Sequence, residues 1–293
     1  MTSLDEPVTE HDLRCPEIEA PQLLPDPDRC TCRDADGKTR RESWVTGPIS
    51  GFDLETTHAD PELARIVTAT VVEIRPGQDK VVHEWLSDVD GEEIPQEAAE
   101  IHGVTTERAR AEGRPHAEVV AEIRQVLGQQ WRDAAAVAGW NLSYDFTVLA
   151  HECLRIRQAT PFLVTGYVLD GFVLDKAADR YRRGKRTLTA AAEHYRIHLS
   201  EEDAHSSAAD ALAAARVIWR IAAQDHPWIG ELPLPELHKR QVRWFTQQQQ
   251  SFAKYLRDKV APGIDDPEER AALLDRADDV DAQADGWPLR GAS

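Results

Sequence analysis

Long apolar runs are missing. No stretch of about 18 consecutive apolar side chains occurs in the 293 residues, which excludes a transmembrane helix. The first twenty residues are acidic and contain no apolar segment, so no secretory signal is expected there. Cysteine is scarce as well. Cys15, Cys30, Cys32 and Cys153 are too few and too unevenly placed for a disulfide framework. Cys30-Thr-Cys32 with a distant Cys15 lacks the paired four-ligand spacing of a structural zinc site, so these residues read as incidental thiols of a reducing cytoplasm. Positive charge is also in short supply. The chain has 34 basic and 52 acidic residues, a formal net charge of −18, which at first sight argues against a nucleic-acid partner.

What is present is globular. The chain is 41% hydrophobic and 29% charged, and it is long enough to bury a substantial core. Its acidity is uneven. Residues 1–43 carry 11 acids and 6 bases, and residues 264–285 carry 9 acids and 2 bases. The segment 176–196 instead holds 7 bases and 2 acids, a solvated face or a phosphate-binding one. The expected organisation is a disordered acidic leader over 1–43, a main domain over 44–226, a helical extension over 227–260 and a frayed acidic tail over 261–293.

Within the main domain, 49–55, 65–74 and 80–86 read as strands. Pro76-Gly77 marks a hairpin turn between the second and third. Helical patterns follow at 95–101 and 116–130, a fourth strand at 134–140, a helix at 143–157 and a short fifth strand at 168–170. Further helices are expected at 172–181, 187–195 and 207–224. Strands first, then strands alternating with helices, imply an α/β fold with one mixed sheet flanked by helices. After Pro227, Pro233 and Pro235, residues 236–258 form one long helix with Leu237, Gln241, Phe245, Phe252, Tyr255 and Leu256 near one face. It either packs back on its own domain or docks a partner.

Three elements could carry chemistry. Asp53 and Glu55 alternate along the first strand, so both carboxylates face one way while Phe52 and Leu54 face the other. Side by side in a central apolar strand they repel and lose hydration. A divalent cation is the simplest neutralising group, and hard oxygen ligands suit Mg²⁺ or Mn²⁺. The second element is Asn141-Leu-Ser-Tyr-Asp145. Asn141 or Ser143 can cap the following helix, and Asp145 then either complements the helix dipole or serves as a third carboxylate at a strand's C-terminal end. The third is His205-Ser-Ser-Ala-Ala-Asp210. Ser207 and Asp210 fit a capping box, which leaves His205 ahead of the helix, either structural or aimed into a cleft.

Taken in order, D-x-E on a first strand, N-x-x-Y-D at a strand-to-helix step and H-x₄-D opening a late helix resemble the DEDDh exonucleases. That group includes the proofreading subunit of bacterial replicative polymerase, ribonuclease T and oligoribonuclease. The resemblance spans about residues 45–224, and Ile101-His102-Gly103-Val104-Thr105 resembles a loop found between the first two motifs. The His-x₄-Asp form points to the histidine branch. The resemblance implies an RNase H-like fold and removal of nucleotides from the 3′ end of single-stranded DNA or RNA. By motif position Asp53, Glu55, Asp145 and Asp210 would hold two Mg²⁺ or Mn²⁺ ions, and His205 would be the general base. Leu54, Thr56, Thr57, His102 and Tyr144 would lie along the terminal nucleotides, and Arg182, Arg183, Lys185 and Arg186 would track phosphates. A polymerase or other protein partner is compatible with this reading. The competing reading is a non-catalytic adaptor of the same fold, against which stands the presence of all five expected site residues.

Overall fold

A computed structural model describes residues 43–157, 160–197 and 207–290. Its centre is a five-stranded sheet in the order β3-β2-β1-β4-β5: β1 Ile49–Thr56, β2 Ile66–Ile74, β3 Val81–Leu86, β4 Ala136–Gly139 and β5 Val168–Asp170. The first three strands run antiparallel, while β4 and β5 lie parallel to β1. The hairpin and the mixed sheet therefore appear where the alternation of apolar residues placed them.

Helices α1 Gln96–His102, α2 Thr106–Glu112, α3 His116–Arg132 and α4 Leu142–Arg155 precede β5. Helices α5 Gly171–Ala178, α6 Leu188–His194, α7 Ser207–Arg220, α8 Pro227–Gly230, α9 Leu234–Tyr255 and α10 Pro267–Ala282 follow it. One core joins α3 and α4 to the sheet through Phe52, Ile66, Val71, Ile123, Leu127 and Phe146. A second includes Leu169, Leu174, Val217, Ile218 and Leu237. The strand alternation decides which side chain enters which layer: Phe52 and Leu54 enter the first core, while Gly51, Asp53 and Glu55 face α7.

Gly51 makes that second face workable. A Cβ there would sit 2.5 Å from the Ala211 carbonyl oxygen, so a larger residue would push α7 off the sheet. Ser207 on the first turn of α7 pairs its hydroxyl with Thr70 of β2 at 2.6 Å. It therefore ties helix to sheet; the residues before it, including His205, lie outside the described ones. Cys15, Cys30 and Cys32 also lie outside them, and Cys153 is a buried free thiol.

The long helix α9 packs on its own domain. It buries Leu237, Gln241, Phe245 and Ala253, whereas Tyr255, placed on the buried face by pattern alone, is exposed. Gln241 acts as a substitute strand for the edge of β5: its amide nitrogen donates to the Val168 carbonyl at 2.8 Å and its amide oxygen accepts from the Asp170 N–H at 2.8 Å. An open sheet edge is thereby satisfied by one side chain.

The expected frayed tail is corrected by the structure. Residues 267–282 form α10, started by Asp266, whose carboxylate accepts the N–H groups of Glu268 and Glu269. Arg257 pairs with Asp278 and Asp281 of α10. Beyond α10, Trp287 is buried in the first core. The acidic composition suggested solvation, but one face of the segment docks.

Candidate active site

The site forms at the C-terminal ends of β1, β4 and β5. β4 pairs with β1 only over Ile49–Gly51, so β1 runs on past its neighbour. The Leu54 N–H is one of the groups this leaves to satisfy, and it donates to Asp145 Oδ1 at 3.1 Å. Asp145 reaches it from the first turn of α4, whose entry is set by Asn141 in a left-handed conformation (φ 63°). The Asn141 side chain makes no capping bond. Instead the Asn141 backbone N–H donates to Asp170 Oδ1 at 3.0 Å.

Asp53, Glu55 and Asp210 each offer a carboxylate oxygen, and these atoms all lie within 4.8 Å of one another. Asp145 is not in that group but lies close enough to add to its repulsion. Burial, then Asp145, Glu55 and Asp210, hold the Asp53 carboxyl well above the usual range. Burial and Asp210 push Glu55 up to about 7. Burial also raises Asp145, against the stabilising Leu54 N–H. Such a cluster is poorly tolerated as four bare charges, and its hard oxygen donors fit Mg²⁺ or Mn²⁺.

Beside the carboxylates, Thr56 Oγ1 and the Tyr144 hydroxyl are 2.5 Å apart, and both bond to the His58 carbonyl. Burial pushes the Tyr144 phenol up to about 12, so it stays protonated. Leu54 is buried in the first core. Thr57 is buried too, and its hydroxyl accepts the Arg65 N–H at 2.9 Å. Its side chain thus closes the turn after β1. Arg65 in turn bonds to the fully buried Glu152, which also meets His116 and Arg155. His102 ends α1. Its Nδ1 accepts the Val104 N–H at 3.2 Å, while Nε2 has no partner among the described residues. Burial holds His102 below the usual histidine range, so the neutral ring carries its proton on Nε2.

A match to the family model described as Exonuclease covers residues 50–218. This chain belongs to the exonuclease family. The matched segment runs from β1 through most of α7 and so includes every element that brings a carboxylate to the cluster. No curated protein sequence matches the chain. Among solved structures, the exonuclease domain resembles E. coli exonuclease I in complex with a dT13 oligonucleotide, with TM-score 0.51 and 17% identity over 62% of this chain. A second exonuclease I structure gives TM-score 0.54 and 18% identity over 63% of this chain. The chain spans 42% of the length of each of these relatives. At this identity the likeness establishes the fold alone.

Sequence reasoning missed three contributors to the candidate site. Asp170, fully buried, accepts from the N–H groups of Asn141 and Phe172 and from Trp287 Nε1 at 3.2 Å. Its place at the end of an apolar VLD strand was a visible signal, since strand ends on this side of the sheet deliver acids toward Asp145, whose carboxyl Asp170 helps raise. Trp287 and Arg290 come from the tail, and no local pattern marks them. The Arg290 N–H donates to Thr147 Oγ1 at 3.1 Å, and Nη2 donates to Ser143 Oγ at 3.4 Å. Burial lowers the Arg290 pKa, but Tyr144, Asp60, Asp170 and Asp145 favour its charge.

The basic segment also differs from expectation. Arg182 and Arg186 do not form a solvated phosphate track, because both pair with the fully buried Asp175 at 2.9 and 2.6 Å. Burial alone would raise the Asp175 carboxyl, but these two guanidinium groups hold it below the usual range.

Proposed function

We propose that this protein is a metal-dependent 3′–5′ exonuclease releasing nucleoside monophosphates from single-stranded DNA or RNA. The observation that carries the reading is the convergence of Asp53, Glu55 and Asp210 oxygens within 4.8 Å, beside Asp145, in a chain of the exonuclease family. Asp53, Glu55, Asp145 and Asp210 would hold two Mg²⁺ or Mn²⁺ ions. Bound divalent ions would supply charge neutralisation at the scissile phosphate and activate water for attack near neutral pH.

The remaining work falls to the chain's own side chains. The Leu54 N–H fixes one Asp145 oxygen, which orients that carboxylate toward β1. Tyr144, held by Thr56 and the His58 carbonyl, offers a ring face to the terminal base or sugar. His102 would lie beside the neighbouring nucleotide, an assignment that rests on the Ile101–Thr105 loop, because its Nε2 is buried here. Leu54 and Thr57 shape the floor from within. His205 would accept the proton of the attacking water on an imidazole nitrogen, an assignment that rests on the H-x₄-D motif.

The deciding experiment uses 5′-labelled single-stranded DNA and RNA of equal sequence with Mg²⁺, Mn²⁺ or a chelator. A metal-dependent ladder shortening from the 3′ end is expected, and Asp53→Ala should remove it while leaving the fold intact, because a repelling carboxylate leaves with the ligand. His205→Ala should lower the rate roughly 10²–10⁴-fold. A loss below about threefold would refute the general-base role. Strand binding without any ladder would favour the adaptor reading.

A further inference from the structure

We propose that Tyr181, with Arg180, Arg183 and Lys185, forms a stacking and phosphate-binding platform for single-stranded nucleic acid leading to the carboxylate site; this rests on the exonuclease reading above. The turn between α5 and α6 has two populations of side chains. Arg182 and Arg186 point inward to Asp175, which also accepts the Tyr195 hydroxyl at 2.9 Å. Arg186 additionally donates to the carbonyls of Asp179, Arg180 and Arg182 at 2.6, 3.3 and 3.4 Å. One guanidinium therefore gathers the backbone of the turn around itself.

That internal mount leaves the other side chains outside. Tyr181 is 85% exposed, the highest among the exposed large hydrophobic side chains. Arg180, Arg183 and Lys185 are exposed around it, with the Arg180 guanidinium 5.9 Å from the Tyr181 ring centre. Tyr181 makes no contribution to either core, so packing does not account for an aromatic ring there. A buried charge cluster that fixes the backbone beneath it presents the ring with little loss of conformational freedom on binding.

Position and charge identify the occupant. The Trp140 indole donates to the Arg186 carbonyl at 3.1 Å, and Trp140 lies between β4 and the helix that carries Asp145. The mount is thus anchored at the C-terminal end of β4, from which the chain enters the helix that carries Asp145. In a chain of net charge −18, three outward cations around an exposed ring suit alternating phosphates and bases. Stacking on an aromatic face is sequence-tolerant, and cations track the backbone.

The test uses the full chain and a 5′-fluorescein 20-nucleotide single strand, with Ca²⁺ for binding and Mg²⁺ or Mn²⁺ for turnover. Tyr181→Ala should weaken binding roughly ten- to a hundredfold, and Tyr181→Phe should restore it. Neutralising Arg180, Arg183 and Lys185 to Gln should lower the salt slope of log K by about two. In Tyr181→Ala and in the Gln variant the loss on the 20-mer should exceed the loss on a dinucleotide at least about tenfold. Unchanged 20-mer affinity in Tyr181→Ala, an equal loss on the dinucleotide, or no strand binding by the wild-type chain would each overturn the platform. A wild-type chain that binds the strand through Tyr181 but never shortens it would retain the platform and sink the nuclease reading.

Discussion

Two carboxylates one residue apart on β1 set the electrostatics of the site. Each is costly alone, and together with Asp210 they are costlier, which is why Glu55 is pushed up to about 7. In the unfolded chain Glu55 titrates near 4.5. Between these values the folded, metal-free protein binds the extra proton, so this group makes stability fall as pH rises through that window. Glu55→Gln removes the effect. It should raise the melting temperature of the chelator-treated protein at pH 8 and leave it nearly unchanged at pH 4.5; equal shifts at both pH values, read by differential scanning calorimetry, would contradict the assignment. The D-x-E pair was legible in sequence because strand alternation has a fixed period of two. The internal bond of the Thr57 hydroxyl, with its partner 8 residues away at Arg65, leaves no periodic trace in the sequence.

At the scale of elements, the close approach of α7 to β1 over Gly51 delivers Asp210, and the strand-to-helix step after β4 delivers Asp145. Both elements were visible from apolar periodicity. The turn from α5 to α6 was visible only as positive charge, and burial sorts it. Asp175, Arg182 and Arg186 are a buried ion cluster, so removing the acid leaves two cations without a counter-charge. Asp175→Ala should destabilise the protein by about 3–5 kcal/mol, measured by urea unfolding. Arg183→Gln, on the exposed side, should change stability by less than about 0.5 kcal/mol. Equal effects of the two substitutions would mean that the inward and outward sorting is wrong.

For the whole molecule, the C-terminal third is part of the fold. Leu237 joins one core and Phe245 and Trp287 the other, Gln241 covers β5, and Trp287 reaches Asp170. A chain ending after residue 226 forfeits roughly 3–6 kcal/mol from Leu237 and Phe245 alone, which is comparable to the roughly 5–15 kcal/mol that holds a native protein together. It should lose cooperative unfolding by circular dichroism although it keeps the whole family-matched segment. A sharp transition at the full-length temperature would show that the tail is dispensable. The sequence by itself determined the sheet, the order of its strands in the chain and the identity of the carboxylates, because period-two and period-3.6 patterns are local and the three motifs stand in order. Only the tertiary structure decided which charges are spent internally, that α10 and Trp287 dock, and that Asp170 and Arg290 border the site. Those outcomes depend on contacts between residues up to 147 positions apart, and burial at such distances is a property of the packed chain that no local pattern records.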